Sequence, residues 1–331
     1  MQQAQSPLGN NAAAQAGIVD AVVIGRNEGD RLMACLASLA GQVRRIIYVD
    51  SGSSDGSPAR ASALGARLVA LPMDQPFTAA RARNAGLAAA MADDPPGFVQ
   101  FVDGDCAVTS GWVATALAFL QGTPGAAVAC GRRRERFPQA SVYNRLCDLE
   151  WDTPVGQALA CGGDALMRAD AVVAVGGYDP SLIAGEEPDL CLRLRRAGWQ
   201  VWRLDADMTL HDAAMTRFSQ WWRRTRRAGH AFAEGAARHG NGPERHWVHE
   251  TRRALAWGVV LPGVALLASL SHPVGAVLWL AYPAQVVRLA RRTGWTVAAF
   301  TVLGKLPEAL GVLGYHLGRA RGRRATIIEY K

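Results

Sequence analysis

The chain has 331 residues, half of them hydrophobic and 19% charged, with a mean hydropathy of +0.02. A sizeable core is available, so global disorder is excluded, and the length calls for two domains or one large domain with an appendage. The net charge of +8 is uneven: residues 217–331 carry 18 basic and 5 acidic side chains, residues 1–216 carry 18 and 23.

Met1–Gly17 is rich in Gln, Ala and Asn and lacks the charged start and apolar middle of a signal peptide. It is expected to be a flexible tail. Residues 18–24 form a short apolar run of the buried-strand kind. An amphipathic helix is expected at 29–40, with Leu32, Cys35, Leu36 and Leu39 on one face. A second strand, 46–49, ends at Asp50. The turn Ser51–Ser57 leads into a helix near 58–65, and 67–71 is a third strand. A helix over 78–92 and a break at Asp93–Gly97 precede a fourth strand, 98–102, that ends at Asp103. Strands alternating with helices imply a mainly parallel sheet with helices on both faces.

In such sheets ligands bind beyond the carboxyl ends of the strands. Three of these ends carry polar clusters: Arg26-Asn27-Glu28, Asp50, and Asp103-Gly104-Asp105. No GxGxxG and no GxxxxGK[ST] occurs, so the usual phosphate cradles of dinucleotide folds and P-loop ATPases are missing. Two carboxylates flanking a glycine can approach a divalent cation that also bridges a diphosphate. An isolated Asp-Gly-Asp is more often an ordinary turn; Asp50 at a neighbouring strand end favours the ligand reading.

The rear of the chain reads differently. Residues 254–270 are 17 uncharged, mostly apolar positions, and 274–287 are another 14 with Pro283 inside. The longer run spans roughly 25 Å as a helix, short of a bilayer core of about 30 Å. Arg252 and Arg253 precede the pair, Arg288, Arg291 and Arg292 follow it, and the turn Ser271-His272-Pro273 carries no Lys or Arg. The positive-inside rule then puts both flanks in the cytoplasm, around a hairpin (254–287) that spans or re-enters the membrane. The stretch 295–318 holds Lys305, Pro307, Glu308 and His316 and is expected to lie at the interface. Arg319 to Arg324 add a basic patch, and an anionic membrane rather than nucleic acid is the expected partner of the basic half. Six scattered cysteines with no CxxC point to a reducing compartment.

Six segments occur in a telling order: VVIGRNEGDRLMACLASL, IIYVDSGSSDGS, ARNAG, FVDGDC, GGDALMR with VGGYDP beyond it, and GEEPDLCLRLRRAGW. Over about residues 18–212 the chain resembles family 2 glycosyltransferases of the GT-A fold. The resemblance implies an α/β, Rossmann-like GT-A domain with a mainly parallel sheet flanked by helices (18–216). A basic amphipathic connector (217–253) and a helical membrane-associating region (254–331) would follow. It implies that Glu28, Asp50, Arg83 and Asp103 serve the nucleotide, with Asn84 beside Arg83. It implies Asp105 and His211, the latter expected after a strand around 200–204 and a short loop, as ligands for Mg²⁺ or Mn²⁺, and Asp164 as a residue near donor sugar and acceptor. Glu187 falls where the family places its catalytic base, one methylene longer than the usual Asp, and Glu186 is the rival. Arg132–Phe137 with Trp151-Asp152 is either an acceptor-facing segment or a solvated basic loop. Gln220-Trp221-Trp222-Arg223-Arg224 is similar to the QxxRW element of processive synthases but ends in Arg224, which favours a single transfer.

The implied activity is inverting, metal-dependent transfer of a sugar from a nucleotide-diphosphate sugar, UDP favoured, to a lipid-linked or polysaccharide acceptor. The implied setting is surface polysaccharide synthesis at the cytoplasmic face of the plasma membrane. A sugar nucleotidyltransferase and a non-catalytic sugar-nucleotide binder are the alternatives. The first expects a basic loop where GRNEGD stands; the second has no use for paired acids at 186–187.

Overall fold

The computed structural model describes residues 17–322. Most of the expected N-terminal tail, and Arg323 and Arg324 of the basic patch, lie outside the described residues. Two compact units are present. One comprises the chain up to Leu182 with Glu186–Ala214, the other Ile183–Gly185 with the chain from Met215 onward.

The first unit is built on strands β1 (Val19–Gly25), β2 (Arg45–Asp50), β3 (Arg67–Ala70), β4 (Phe98–Asp103), β5 (Cys106–Val108), β6 (Ala126–Glu135), β7 (Gly156–Ala158), β8 (Ala165–Arg168) and β9 (Gln200–His211). They form one sheet in the order β3-β2-β1-β4-β8-β6-β9-β5, with β7 paired to β9. The first four strands are mutually parallel, as βαβ crossovers require, while β8 runs antiparallel between β4 and β6. Helices α1 (Asp30–Leu39), α2 (Ser57–Ala63), α3 (Ala79–Ala92), α4 (Trp112–Gly122), α5 (Val142–Glu150), α6 (Ala169–Ala174) and α7 (Glu186–Arg196) complete the unit.

Val22, Val23, Val49, Phe101 and Val102 are wholly buried, which suits strands covered on both faces. The one acid inside this region, Asp20, is fully buried and ion-paired to Arg44 (2.8 Å) and Arg45 (2.6 Å). Helix α3 lies very close to the sheet at Gly86, where a Cβ would stand 2.3 Å from Val22 Cγ1. The register Gly25↔Asp50 and Ile24↔Asp103 brings three strand ends level. That edge is where the polar clusters meet.

Two differences from the sequence expectation matter for the site. The strand expected near 200–204 continues to His211, which therefore sits within a strand rather than after a loop. Arg132–Glu135 is the end of β6, not a loop, because pairing with β9 satisfies its backbone. Irregular register in this pairing, where Arg132 faces Asp207 and Arg133 faces Thr209, re-aims the strand ends toward the site.

The second unit is helical: α8 (Phe218–His239), α9 (Val248–Ser271), α10 (Pro273–Thr293) and α11 (Trp295–Ala320). Helix α8 is capped by Gln220, whose side chain accepts the Thr216 and Arg217 amides (2.9 and 3.0 Å), so the QxxRW-like glutamine is spent locally. Helices α8 and α11 meet through glycines: a Cβ on Gly229 would lie 2.0 Å from the Glu308 carbonyl, and one on Gly311 2.1 Å from that of Arg226. Helices α9, α10 and α11 are each long and apolar enough to cross a membrane, at 24, 21 and 26 residues. The apolar run expected from 254 lies inside a helix that starts at Val248, because Arg252 and Arg253 continue the helix instead of ending it. The expected interfacial stretch reaches spanning length in α11, where the Lys305 ammonium and Glu308 carboxylate offset each other at 2.5 Å. Leu267, Leu270, Val274 and Leu280 are each 60% or more exposed, an apolar surface suited to lipid.

Candidate active site

Arg83 organises the first cluster. Helix α3 carries it, and its side chain is only 2% exposed. Its Nη2 donates to Asp103 Oδ1 at 2.8 Å, while Nη1 lies 3.2 Å from Glu186 Oε1 and 2.8 Å from Glu187 Oε1. Both acids occupy the first turn of α7, where the positive end of the helix favours negative charge. Burial, then repulsion from Glu186, raises the Glu187 carboxyl to about 7 although Arg83 opposes the shift.

Arg133 closes the other side of Asp103. Its Nη2 lies 3.3 Å from Asp103 Oδ2 and 2.9 Å from Asp164 Oδ2. Asp164 is fully buried and is also hydrogen-bonded by the Asp103 amide (3.0 Å) and the Thr209 hydroxyl (2.8 Å). Trp151 packs its ring against Arg133 (5.6 Å from guanidinium carbon to centroid) and meets His211 edge-on at 4.7 Å.

Strands β5 and β9 pair Cys106 with His211, which brings the neighbouring Asp105 to the imidazole. His211 Nε2 is 3.3 Å from Asp105 Oδ2, and Nδ1 is 3.6 Å from Glu135 Oε2 with no hydrogen bond. Glu135 is fixed by the amides of Phe137 and Ala213 at 3.0 Å each and by Asn144 at 3.2 Å. The His211 ring thus stands between two carboxylates, and with Nδ1–H toward Glu135 its Nε2 and Asp105 Oδ2 would be two donors for one cation. The donor atoms of Asp105, Cys106 and His211 lie within 4.8 Å of one another and would fit a divalent metal, with Glu135 behind the ring.

Residues 20–154 match the model of glycosyl transferase family 2. Over those residues the chain resembles family 2 glycosyltransferases. Over 310 residues it is 29% identical to a pre-mycofactocin glycosyltransferase of Mycobacterium tuberculosis, covering 88% of this chain and 63% of the relative. The chain thus spans less than two thirds of that relative's length. A shorter stretch of 51 residues is 45% identical to the succinoglycan biosynthesis protein ExoA of Rhizobium meliloti, covering 15% of this chain and 16% of that one. Among solved structures, the mannosyltransferase PcManGT of Pyrobaculum calidifontis, in complex with GDP-mannose and Mn²⁺, aligns with a TM-score of 0.64 at 20% identity. That alignment covers 89% of this chain and 86% of the other, and shows that the fold is GT-A.

In the first unit, Arg83, Asp103, Asp164, Glu186 and Glu187 form one connected network, and Asp105, His211 and Trp151 adjoin it through Arg133. Glu28 and Asp50 stand apart, at the ends of β1 and β2. Glu28 pairs with Arg31 at 2.8 Å. Asp50 accepts the Tyr48 hydroxyl (2.9 Å) and the Gly52 and Ser53 amides (3.0 Å each), so it also shapes its own turn. Asn84 clasps Tyr178 through its amide and carbonyl (2.9 and 2.7 Å), a structural tie between α3 and the Gly177 turn. Thr209 was not foreseen as a site residue, and Arg133 and Glu135 stood only within the segment weighed as acceptor-facing, without these roles. The alternation in Arg132-Arg133-Arg134-Glu135 is the one signal that carried them: as a strand it sends 133 and 135 to one face.

Proposed function

We propose that the protein is an inverting, metal-dependent transferase that moves a sugar from a nucleotide-diphosphate sugar to a saccharide or lipid-linked acceptor. The observation that carries this reading is Glu187, a carboxylate raised to about 7 at the edge of the sheet, beside Arg83 and Asp103. A base poised near neutral pH can take a proton from an acceptor hydroxyl as it attacks the anomeric carbon. Glu187 is preferred over Glu186 because its side chain is the more exposed of the two, 14% against 5%. Arg83 holds both acids and keeps Asp103 oriented toward the nucleotide. Asp105 and His211 would hold Mg²⁺ or Mn²⁺. Such a cation supplies positive charge that offsets the diphosphate leaving group. PcManGT, the structural neighbour, binds GDP-mannose with Mn²⁺, which supports a nucleotide-sugar donor and keeps GDP beside UDP as the base to test.

Glu28 and Asp50, at the ends of β1 and β2, are assigned to the nucleoside, and Asp164 and Trp151 to the sugar side. The domain limits follow the same reading: a transferase domain over 18–216, a connector over 217–253 and a membrane region over 254–331. The three long apolar helices support membrane attachment, and the flanking arginines support a cytoplasmic catalytic domain. A membrane-held acceptor, such as a lipid-linked saccharide of surface polysaccharide synthesis, follows from that placement. Thermal unfolding of the detergent-solubilised protein with UDP, GDP and dTDP sugars, with and without Mn²⁺, tests the reading. One donor should raise the midpoint only with metal, and Asp105→Asn should abolish that shift. A metal-independent shift of equal size in the variant would remove the metal role.

A further inference from the structure

Two sets of potential metal ligands meet at Cys106. Asp105, Cys106 and His211 form one, and Asp103, Cys106 and Asp164 form the other; within each, the ligand atoms lie within 4.8 Å of one another. Geometry alone therefore offers two neighbouring cation positions. They differ in what already stands there. The second set contains the Arg133 guanidinium, whose Nη2 contacts both Asp164 Oδ2 (2.9 Å) and Asp103 Oδ2 (3.3 Å). His211 instead faces two carboxylates, those of Asp105 and Glu135.

Asp164 is wholly buried, and an unpaired carboxylate is costly to bury. Either a metal ion or a fixed guanidinium supplies the positive charge it needs, two units in the first case and one in the second. A guanidinium differs from a metal in being covalently held and protonated at any working pH. It also blocks the oxygens it binds. Asp103 is doubly engaged, with Oδ1 on Arg83 and Oδ2 on Arg133. Trp151 keeps the guanidinium in place from one side and presses its edge on His211 on the other, so one indole spaces the two cation positions.

We propose that Arg133 is a built-in counter-cation that takes the place of a second metal ion at Asp103 and Asp164 and so confines the metal to Asp105 and His211. Arg133 is thus a positioning residue, acting through the two aspartates. The inference rests on the metal reading of the proposed function. On this reading one cation suffices at a site crowded with acids: the other position is filled by the chain itself, and Asp103 and Asp164 are left to orient nucleotide and sugar.

Mn²⁺ stoichiometry, read from the electron paramagnetic resonance signal of free Mn²⁺ during titration of the detergent-solubilised full chain, tests this. Wild type should bind one ion per chain. Arg133→Met keeps the length of the side chain but removes its charge, and should bind two. Arg133→Lys keeps the charge and should bind one. Adding Asp164→Asn to Arg133→Met should return the count to one. If Arg133→Met is poorly stable without metal, Mn²⁺ should raise its unfolding midpoint more than that of wild type. An Arg133→Met protein that binds one ion, with a midpoint no more sensitive to Mn²⁺ than wild type, overturns the inference and leaves the metal reading standing. A wild type that binds no Mn²⁺ overturns both.

Discussion

Replacing Glu187 by Gln isolates the proposed base. The amide has nearly the same shape, and its oxygen can still face Arg83 Nη1, now 2.8 Å from Oε1. What disappears is the capacity to accept a proton. Burial and Glu186 hold the wild-type carboxyl at about 7. A base with that value is about 90% ionised one pH unit above it and about 10% ionised one unit below. The wild-type kcat/KM should therefore fall about tenfold for each pH unit below neutrality and level off above it. At about pH 8 the variant should lose at least ~100-fold in turnover, the low end for general base catalysis, with donor affinity nearly unchanged. Its remaining activity should no longer bend near pH 7. Stability moves in the opposite sense. Because the folded-state value is raised, ionising Glu187 disfavours the fold: its contribution is fully present at acid pH and is lost as pH rises through about 7. Glu187→Gln should flatten that decline of the unfolding midpoint. The assay is nucleoside diphosphate release across pH, with calorimetric unfolding on the same samples. A Glu187→Gln enzyme with wild-type turnover and an unaltered pH profile would refute the reasoning; loss in Glu186→Gln instead would move the base to Glu186.

Two further outcomes follow from packing and from the rear helices. Gly86→Ala puts a methyl 2.3 Å from Val22 Cγ1 and 3.0 Å from Val49 Cγ2. Overpacking at about 3 kcal/mol outweighs the helix-propensity gain of about 1 kcal/mol, so denaturant unfolding should show a net loss of about 2 kcal/mol. A neutral or stabilising change would mean that α3 can lift from the sheet freely. The full-length protein should stay with membranes in 1 M salt and be released by detergent. Arginine attraction to anionic lipid is worth about 1 kcal/mol per residue and is screened by salt, whereas burial of apolar helices is not. Release by salt alone would put α9 and α10 on a protein surface instead.

The first half of the sheet was readable because its strands are continuous apolar runs that stop at an acid: Ile46-Ile47-Tyr48-Val49 before Asp50, and Phe98–Val102 before Asp103. Each stops in turn residues, Ser51-Gly52 after Asp50 and Gly104-Asp105 after Asp103. The second half hides its pattern. In β6 the apolar run Ala126–Cys130 passes into three arginines and a glutamate, and hydropathy stops reporting the strand just where it enters the site. Arg133 is held there by its ion pairs to Asp103 and Asp164, which no local pattern encodes. His211 was placed after a loop for a related reason: β9 carries Arg203, Asp205 and Asp207 between its apolar residues, so its true length depends on pairing with β6 and β5. In the rear, counting uncharged positions understated helix length, since Arg252-Arg253 and the Lys305–Glu308 pair sit inside helices.

The most direct test of the account is the anomeric configuration of a product. Detergent-solubilised protein, Mn²⁺ and an α-linked nucleotide-diphosphate sugar, with a membrane lipid extract as acceptor source, would be followed by proton NMR of the purified glycoside. A single nucleophilic displacement assisted by Glu187 predicts a β-linked product with equimolar release of nucleoside diphosphate, and none from Glu187→Gln. An α-linked product, or equal yield from the Glu187→Gln enzyme, would contradict it.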